Sequence, residues 1–331
     1  MVAHLGSGLV ESTLVIGAAG MIGRKLTERL VRDGGWGELI LHDVVAPTPP
    51  KGAKAVTSDL AAAGEADRLV ASRPQVIFHL AAIVSGEAEA NFEKGYRINM
   101  AGTWQLFEAI RRVGDGYKPR VVFTSSIAVF GAPFPDAIGD EFLNAPLTSY
   151  GTQKAVGELL LSDYSRRGFF DGVGIRLPTI CVRPGKPNLA ASGFFSGIIR
   201  EPLAGQEARL PVAKSVRHWH ASPRAAIGLL VHAATMDTTQ LGTRRNLSMP
   251  GVSVTVGEQI EALRKVAGEA AVKRIREERD PVIEKIVEGW PRNFDPKRAL
   301  SLGFKADSSF EEIIRIHIED ELGGRIANSS R

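Results

Sequence analysis

Cysteine is almost absent from this chain of 331 residues, whose single thiol is Cys181. One thiol excludes an internal disulfide and every multi-cysteine metal centre, so nothing in the sequence requires an oxidising compartment. Long apolar runs are missing as well. No window approaches the ~18 consecutive apolar residues of a membrane span, and the first dozen residues lack a basic stretch followed by an apolar one. The expectation is a soluble, cytoplasmic protein with no membrane partner. An excess of one charge sign is also lacking, since 41 basic residues face 37 acidic ones. The densest basic run, Lys273, Arg274 and Arg276, is interleaved with Glu277, Glu278 and Asp280 and reads as a solvated helix face. No nucleic-acid partner is expected. The 7 histidines show no His-x-x-x-His or His-Glu-x-x-His grouping, so no metal is expected either. Internal repeats and low-complexity segments are absent.

What is present is ordinary globular material, 44% hydrophobic and 24% charged, enough for one large core and a smaller appended one. The apolar runs Thr13–Ile16, Leu39–Leu41, Val76–Leu80, Val121–Thr124 and Val173–Leu177 have the continuous character of buried parallel strands. Helical patterns separate them: Ile22, Leu26, Leu30 and Val31 on one side of a first helix, then helices near 65–72, 91–113 and 149–167. Strand and helix in alternation predict an α/β fold, a doubly wound parallel sheet of the Rossmann type. Beyond Pro178 the prolines at 184, 187, 202, 211 and 223 break the chain into short elements before helices near 256–267 and 310–321. The expected organisation is a cofactor-binding domain over 1–178 with a returning segment near 221–248, and a smaller α+β substrate-binding region over 179–220 and 249–331.

At the end of the first strand stands Gly17-Ala18-Ala19-Gly20-Met21-Ile22-Gly23. Glycines here let the backbone turn sharply, approach a pyrophosphate and pack the helix against the sheet, with phosphate on the helix N-terminus. Such a turn also arises for conformational reasons alone. Asp43, twenty positions after Gly23 at the end of the second strand, adds a carboxylate that can accept both hydroxyls of an adenosine ribose and repel a 2′-phosphate. NAD is therefore expected rather than NADP.

Tyr150 and Lys154 stand at i and i+4 on a predicted helix, so their side chains emerge from one face. A free phenol ionises near pH ~10, and lowering that by ~3 units takes about 4 kcal/mol, within reach of nearby cations in a partly desolvated cleft. The product would be a general base able to accept an alcohol proton. Ser126 follows the strand 121–124 at the C-terminal edge of the sheet, where open α/β folds hold their ligands, and its hydroxyl can steady the reacting oxygen. Taken alone, a Tyr-x-x-x-Lys pair is as well explained by an exposed helix face.

Taken together, Gly17-x-x-Gly20-x-x-Gly23, Asp43, Asp59-Leu60, His79-Leu80-Ala81-Ala82, Asn99-x-x-Gly102-Thr103, Thr124 to Gly131 and Tyr150-Gly151-Thr152-Gln153-Lys154 resemble the extended branch of the short-chain dehydrogenase/reductase family. The resemblance implies that Asp59 and Leu60 lie near adenine, that Leu80, Ala81 and Ala82 line the cofactor cleft, and that Asn99 orders the active-site helix. It implies further that Lys154 bonds the nicotinamide ribose, that Pro178 and Ile180 flank the nicotinamide, and that the chain forms a homodimer. A cofactor-sensing protein without turnover is a weaker alternative, because sensing needs no Ser126, Tyr150 and Lys154.

Many relatives acting on nucleotide sugars carry Arg-Asp-Tyr/Phe-x-His-Val in the substrate domain, its arginine gripping a diphosphate. Here the run is Arg217-His218-Trp219-His220-Ala221-Ser222, which keeps the arginine and loses the rest. The segments 177–188 and 196–203 instead resemble the D-erythronate dehydrogenase group of this branch, which oxidises the C2 hydroxyl of a four-carbon sugar acid. A short polyhydroxy acid needs a guanidinium fork for its carboxylate and polar groups for its hydroxyls, and Arg183, Asn188 and Arg217 are the candidates. A nucleotide-sugar epimerase or dehydratase is the rival expectation.

Overall fold

A computed structural model of the chain describes residues 4–5, 8–185 and 191–327. Two compact units emerge. The first comprises residues through Val129, Thr148–Arg176 and Ile227–Ser248; the second comprises Phe130–Leu147, Leu177–Ala226 and the chain from Met249.

The first unit is built on a seven-stranded sheet. Its strands are β1 (Ser12–Ile16), β2 (Glu38–Asp43), β3 (Lys54–Thr57), β4 (Val76–His79), β5 (Arg120–Ser126), β6 (Asp171–Leu177) and β7 (Asn246–Ser248). Their spatial order is β7-β6-β5-β4-β1-β2-β3, with parallel registers such as Val15↔Leu41 and Val15↔Phe78. The doubly wound parallel sheet expected from the sequence is thus present. The chain leaves β1 toward β2 and β3 on one side and resumes with β4 on the other, so the topological switch lies at the C-terminal ends of β1 and β4.

Four helices matter for the site: α1 (Met21–Asp33), α2 (Glu65–Val70), α3 (Gly102–Val113) and α4 (Ser149–Arg166). On α1 the spacing 22, 26, 30 buries Leu26 and Leu30, whereas Val31, expected on the same side, is 49% exposed because it lies about 100° further round the helix. The long helix expected over 91–113 is three pieces, with a π-helical turn at Tyr96–Ala101 between Phe92–Gly95 and α3. That turn buries Asn99. The strand β3 escaped the sequence reading because Lys-Ala-Val-Thr has no apolar run and sits on the sheet edge. Beneath the sheet, Leu14, Ile16, Ile77, Val121 and Phe123 pack with Leu106, Phe107 and Ile110 of α3 and Leu161 of α4.

The second unit is α+β. Thr179–Ile180, Arg217–Ala221 and Val252–Thr255 form a three-stranded sheet, and Ala208–Leu210 pairs in parallel with Ile275–Glu277. Helices Gly193–Leu203, Val256–Ala267 and Phe310–Leu322 share its core through Phe195, Ile199, Ile260, Leu263, Phe310 and Ile314. Residues 130–147, which the expected boundaries place in the first domain, belong here. The reason is a long-range pairing of Ile138–Gly139 with Phe294–Asp295, reinforced by the Phe130–Phe294 ring contact at 5.8 Å.

Candidate active site

The glycine turn sits at the switch point. Gly17 has a φ of +92°, and a Cβ there would lie 2.7 Å from the Ala81 backbone nitrogen. A Cβ on Gly23 would meet the Gly17 carbonyl oxygen at 2.2 Å. These two glycines are required by the protein's own backbone. Gly20 differs: its φ of −66° suits any residue, it is exposed, and a Cβ would meet nothing of the protein closer than 3.4 Å. What its missing side chain leaves is an open approach to the first turn of α1. That turn has no side-chain cap and no acidic residue, so the N–H groups at its start, including those of Met21 and Ile22, could receive an anion.

Asp43 ends β2 beside this turn. Its carboxylate accepts the Ala19 N–H at 2.9 Å and the Val45 N–H at 3.2 Å, while the preceding carbonyl, of His42, accepts the N–H groups of Gly17 and Ala18 at 2.8 and 3.0 Å. A carboxylate has about four acceptor positions, so two remain for a ribose diol. The cradle, the uncapped helix start and the carboxylate fit a dinucleotide, and Met21, Ile22 and Asp43 are the residues that would hold it.

Asp59 and Leu60 follow β3. Asp59 accepts the Ala61 N–H at 2.9 Å and an Arg97 guanidinium N–H at 2.5 Å; these bonds hold its carboxyl below the usual range against the upward push of burial. Leu60 is buried in the core below the sheet, which leaves only its backbone for the role near adenine that the resemblance implies. Leu80, Ala81 and Ala82 run out from β4 half-buried, with Leu80 N–H donating to the Ile16 carbonyl at 2.8 Å. Asn99 ties this loop to α4: its amide takes the Ile83 N–H at 2.9 Å and donates to the Ile83 carbonyl at 3.1 Å and to Gln153 Oε1 at 2.8 Å.

The catalytic candidates come together on β5 and α4. Thr148 caps α4, accepting the Gly151 N–H at 3.1 Å, which sets the helix to begin just before Tyr150. Lys154, 3% exposed, donates from Nζ to the Thr124 carbonyl at 2.7 Å, with its ammonium 5.8 Å from the Tyr150 ring centre and 4.9 Å from that of Phe123. Burial pushes this ammonium down to about 8, with Glu158 opposing. Ser126 lies two residues beyond Thr124, at the end of β5 and not after it, and its Oγ accepts the Ala128 N–H at 3.1 Å. The hydroxyl hydrogen of Ser126 is therefore left for another acceptor.

Three contributors were not singled out from the sequence. Gly157, one turn beyond Lys154, lets α4 lie against β5: a Cβ there would meet the Phe123 ring at 2.7 Å. Gln153 anchors Asn99. Glu158 continues the stripe Tyr150, Lys154 at the same four-residue interval, which is the signal that could have found it.

In the second unit, Pro178 and Ile180 are buried, Ile180 in a strand paired with Arg217–Ala221. Arg183 donates from Nε to the Ile180 carbonyl at 3.0 Å and from Nη2 to Ser192 Oγ at 2.6 Å. Arg217 donates to the Ser253 carbonyl at 3.1 Å and pairs with Glu258 at 3.1 Å, 41 residues away and unreadable from local pattern. Asn188 lies outside the described residues. The aromatic cage of Phe195 and Trp290 encloses His218, whose Nδ1 bonds the Pro291 carbonyl at 2.8 Å and whose Nε2 bonds Thr179 Oγ1 at 2.7 Å; burial lowers its pKa to about 4. Among the described residues no cluster of three His, Cys, Asp or Glu side chains could hold a metal, and no helix is long and apolar enough to cross a membrane.

The sequence model of the NAD-dependent epimerase/dehydratase family matches residues 13–223. D-erythronate dehydrogenase from Cupriavidus necator is 47% identical over 320 residues, 93% of this chain and 98% of that protein. The Haemophilus influenzae protein of the same name is 40% identical over 314 residues, 93% of this chain and 99% of the relative. A solved structure of a nucleoside-diphosphate-sugar epimerase from Agrobacterium tumefaciens superposes with a TM-score of 0.94 at 64% identity, covering 98% of this chain and 100% of that one. A glycine cradle at the switch point, a family match over most of the chain and relatives at this identity lead to one conclusion: the chain belongs to the NAD-dependent epimerase/dehydratase family and is an NAD-dependent oxidoreductase.

Proposed function

We propose that this protein is a dehydrogenase of a short sugar acid, oxidising the C2 hydroxyl of D-erythronate or a close analogue to the 2-oxo acid. The single observation that carries the reading is the Lys154 ammonium held between the Thr124 carbonyl and the Tyr150 ring, one strand residue away from the start of the Ser125-Ser126 pair. NAD, when bound, supplies the hydride acceptor. Tyr150 is the general base: a phenolate is favoured by the neighbouring ammonium, and it accepts the proton of the substrate hydroxyl. Ser126 donates its remaining hydrogen to that same oxygen and fixes it beside Tyr150. Lys154 acts through its charge, and because Thr124 takes only one of its three N–H donors, two are left for the ribose. Met21 and Ile22 N–H groups receive pyrophosphate, Asp43 the adenosine ribose.

The names borne by the two curated relatives support the substrate class. Arg183 and Arg217 are the candidates for the substrate carboxylate; both are also bonded within the protein, Arg183 to the Ile180 carbonyl and Ser192, Arg217 to the Ser253 carbonyl and Glu258. A cytoplasmic location belongs to the same reading, with the one thiol, Cys181, fully buried and pushed up to about 12 by burial. So does a homodimer through α3 and α4, which leave Trp104 and Leu159 49% and 70% exposed.

A second reading, an epimerase or dehydratase of nucleotide sugars, draws on the name of the Agrobacterium structure. The two differ in redox balance. An NADH-absorbance screen with four- to six-carbon aldonic and uronic acids, beside nucleotide sugars, separates them: net NADH from a free sugar acid supports the dehydrogenase, and conversion of a nucleotide sugar without net NADH supports the epimerase.

A further inference from the structure

We propose that Glu158 is a positioning residue for Ser126, Tyr150 and Lys154: it holds the end of β5 against α4 and keeps a negative charge on the Lys154 side of the helix. The inference rests on the reading of Tyr150 and Lys154 as the proton-handling pair.

Glu158 stands four residues beyond Lys154 and eight beyond Tyr150, on the same helix face, and is 1% exposed. Ser125 Oγ donates to its Oε1 at 2.5 Å, and the Arg176 fork of β6 donates from Nε to Oε1 at 2.9 Å and from Nη2 to Oε2 at 2.8 Å. Successive residues of one strand are thereby bound to successive turns of one helix, Thr124 to Lys154 and Ser125 to Glu158. The next residue of the strand is Ser126. Its hydroxyl is thus located relative to Tyr150 by two adjacent bonds rather than by packing alone.

Stability does not demand this arrangement. Helix and strand already meet through Gly157 on Phe123, and apolar residues of similar volume commonly replace a buried ion pair without loss. What an apolar pair would not supply is charge. The groups facing Lys154 are Tyr150 and Glu158 on α4, the Thr124 carbonyl and Phe123 ring on β5, and His79 on β4, with Arg176 of β6 behind Glu158. His79 is fully buried and held neutral, its pKa lowered to about 3 by burial and by Lys154 itself. Glu158 is the acid in this set, and it opposes the loss of the ammonium that burial promotes.

The test follows the Tyr150 phenolate by ultraviolet difference titration of the folded protein, with and without NAD, subtracting the spectrum of Tyr150→Phe. Glu158→Gln should move the Tyr150 midpoint up by about one pH unit, leaving about tenfold less phenolate at neutral pH. Glu158→Asp should restore part of it. Ser125→Ala, which cuts the bond to β5 and leaves the charge, should keep the midpoint and lower kcat without raising KM for NAD. Should Glu158→Gln fold poorly with Arg176 uncompensated, the double variant Glu158→Gln/Arg176→Gln carries the same titration with a neutral pair. An unchanged midpoint in either folded variant overturns the proposal and leaves Glu158 as scaffolding. A midpoint indifferent to Lys154→Met would instead overturn the Tyr150–Lys154 pairing on which it rests.

Discussion

Lys154 and Thr124, thirty residues apart, are joined by a 2.7 Å hydrogen bond from a buried ammonium to a strand carbonyl. Through it the helix that carries Tyr150 is fixed to the strand that ends in Ser126. The bond exists because α4 can come close to β5, and it can do so because position 157 has no side chain. Gly157→Ala should force the Phe123 ring or the helix to move; Phe123 is 1% exposed and packed against Phe107, so the helix gives way. Overpacking of this kind costs about 1–3 kcal/mol, readable in urea unfolding, and kcat should fall with it. A variant with native stability and turnover would show that the close approach is not needed.

The three glycines of the turn separate by mechanism. Gly23→Ala drives a methyl into the Gly17 carbonyl and should lower the melting temperature. Gly20→Ala meets no protein atom closer than 3.4 Å and should leave the melting temperature within a degree or two while weakening NAD binding by about tenfold, because it intrudes only on a ligand at the helix start. Calorimetric titration with NAD beside thermal unfolding reads both. Equal NAD affinity in Gly20→Ala and the parent would remove the pyrophosphate from this turn.

Asp43→Asn keeps an acceptor for the Ala19 N–H and removes the charge. NAD affinity should drop, by about tenfold for a lost charged hydrogen bond, and NADP should become usable as the repulsion of its 2′-phosphate disappears. Steady-state kinetics with each cofactor decides. A variant as selective for NAD as the parent would assign discrimination elsewhere.

How much of this was legible in the sequence follows from the range of each interaction. The strands β1, β2, β4, β5 and β6 announce themselves as buried apolar runs, and the Tyr150–Lys154 relation follows from helical periodicity. The glycine turn and Asp43 are local too. What sequence did not disclose is long-range: Ile138–Gly139 pairs with a strand more than 150 residues later, Arg217 meets Glu258 in the first turn of the helix Val256–Ala267, and Ser125 reaches Glu158 across the layer. The interruption of the helix over 91–113 by a π turn had no local signal, nor did its consequence, the burial of Asn99 in a hydrogen bond to Gln153 of α4.

Lys154 is buried at a cost in stability. Its pKa falls from 10.5 to about 8 on folding, so between those values the unfolded chain binds more protons and the folded state gains stability as pH rises. Below pH 8 the penalty is fully present, at about 3 kcal/mol for a shift of this size. Lys154→Met removes the penalty and forfeits about 1 kcal/mol for the bond to Thr124. The variant should be inactive, more stable than the parent at neutral pH, and no more stable by pH 10.5. Unfolding free energies at pH 7 and above pH 10 check this; a variant less stable at neutral pH would mean that the ammonium contributes more by its contacts than it loses by burial.

The most direct measurement of the central claim uses D-erythronate carrying deuterium at C2. With NAD, the account predicts net reduced cofactor containing that deuterium, a 2-oxo acid as product, a rate slowed by the isotope, and loss of turnover in Tyr150→Phe. Reduced cofactor free of deuterium, or none from any sugar acid while a nucleotide sugar is epimerised, would contradict it.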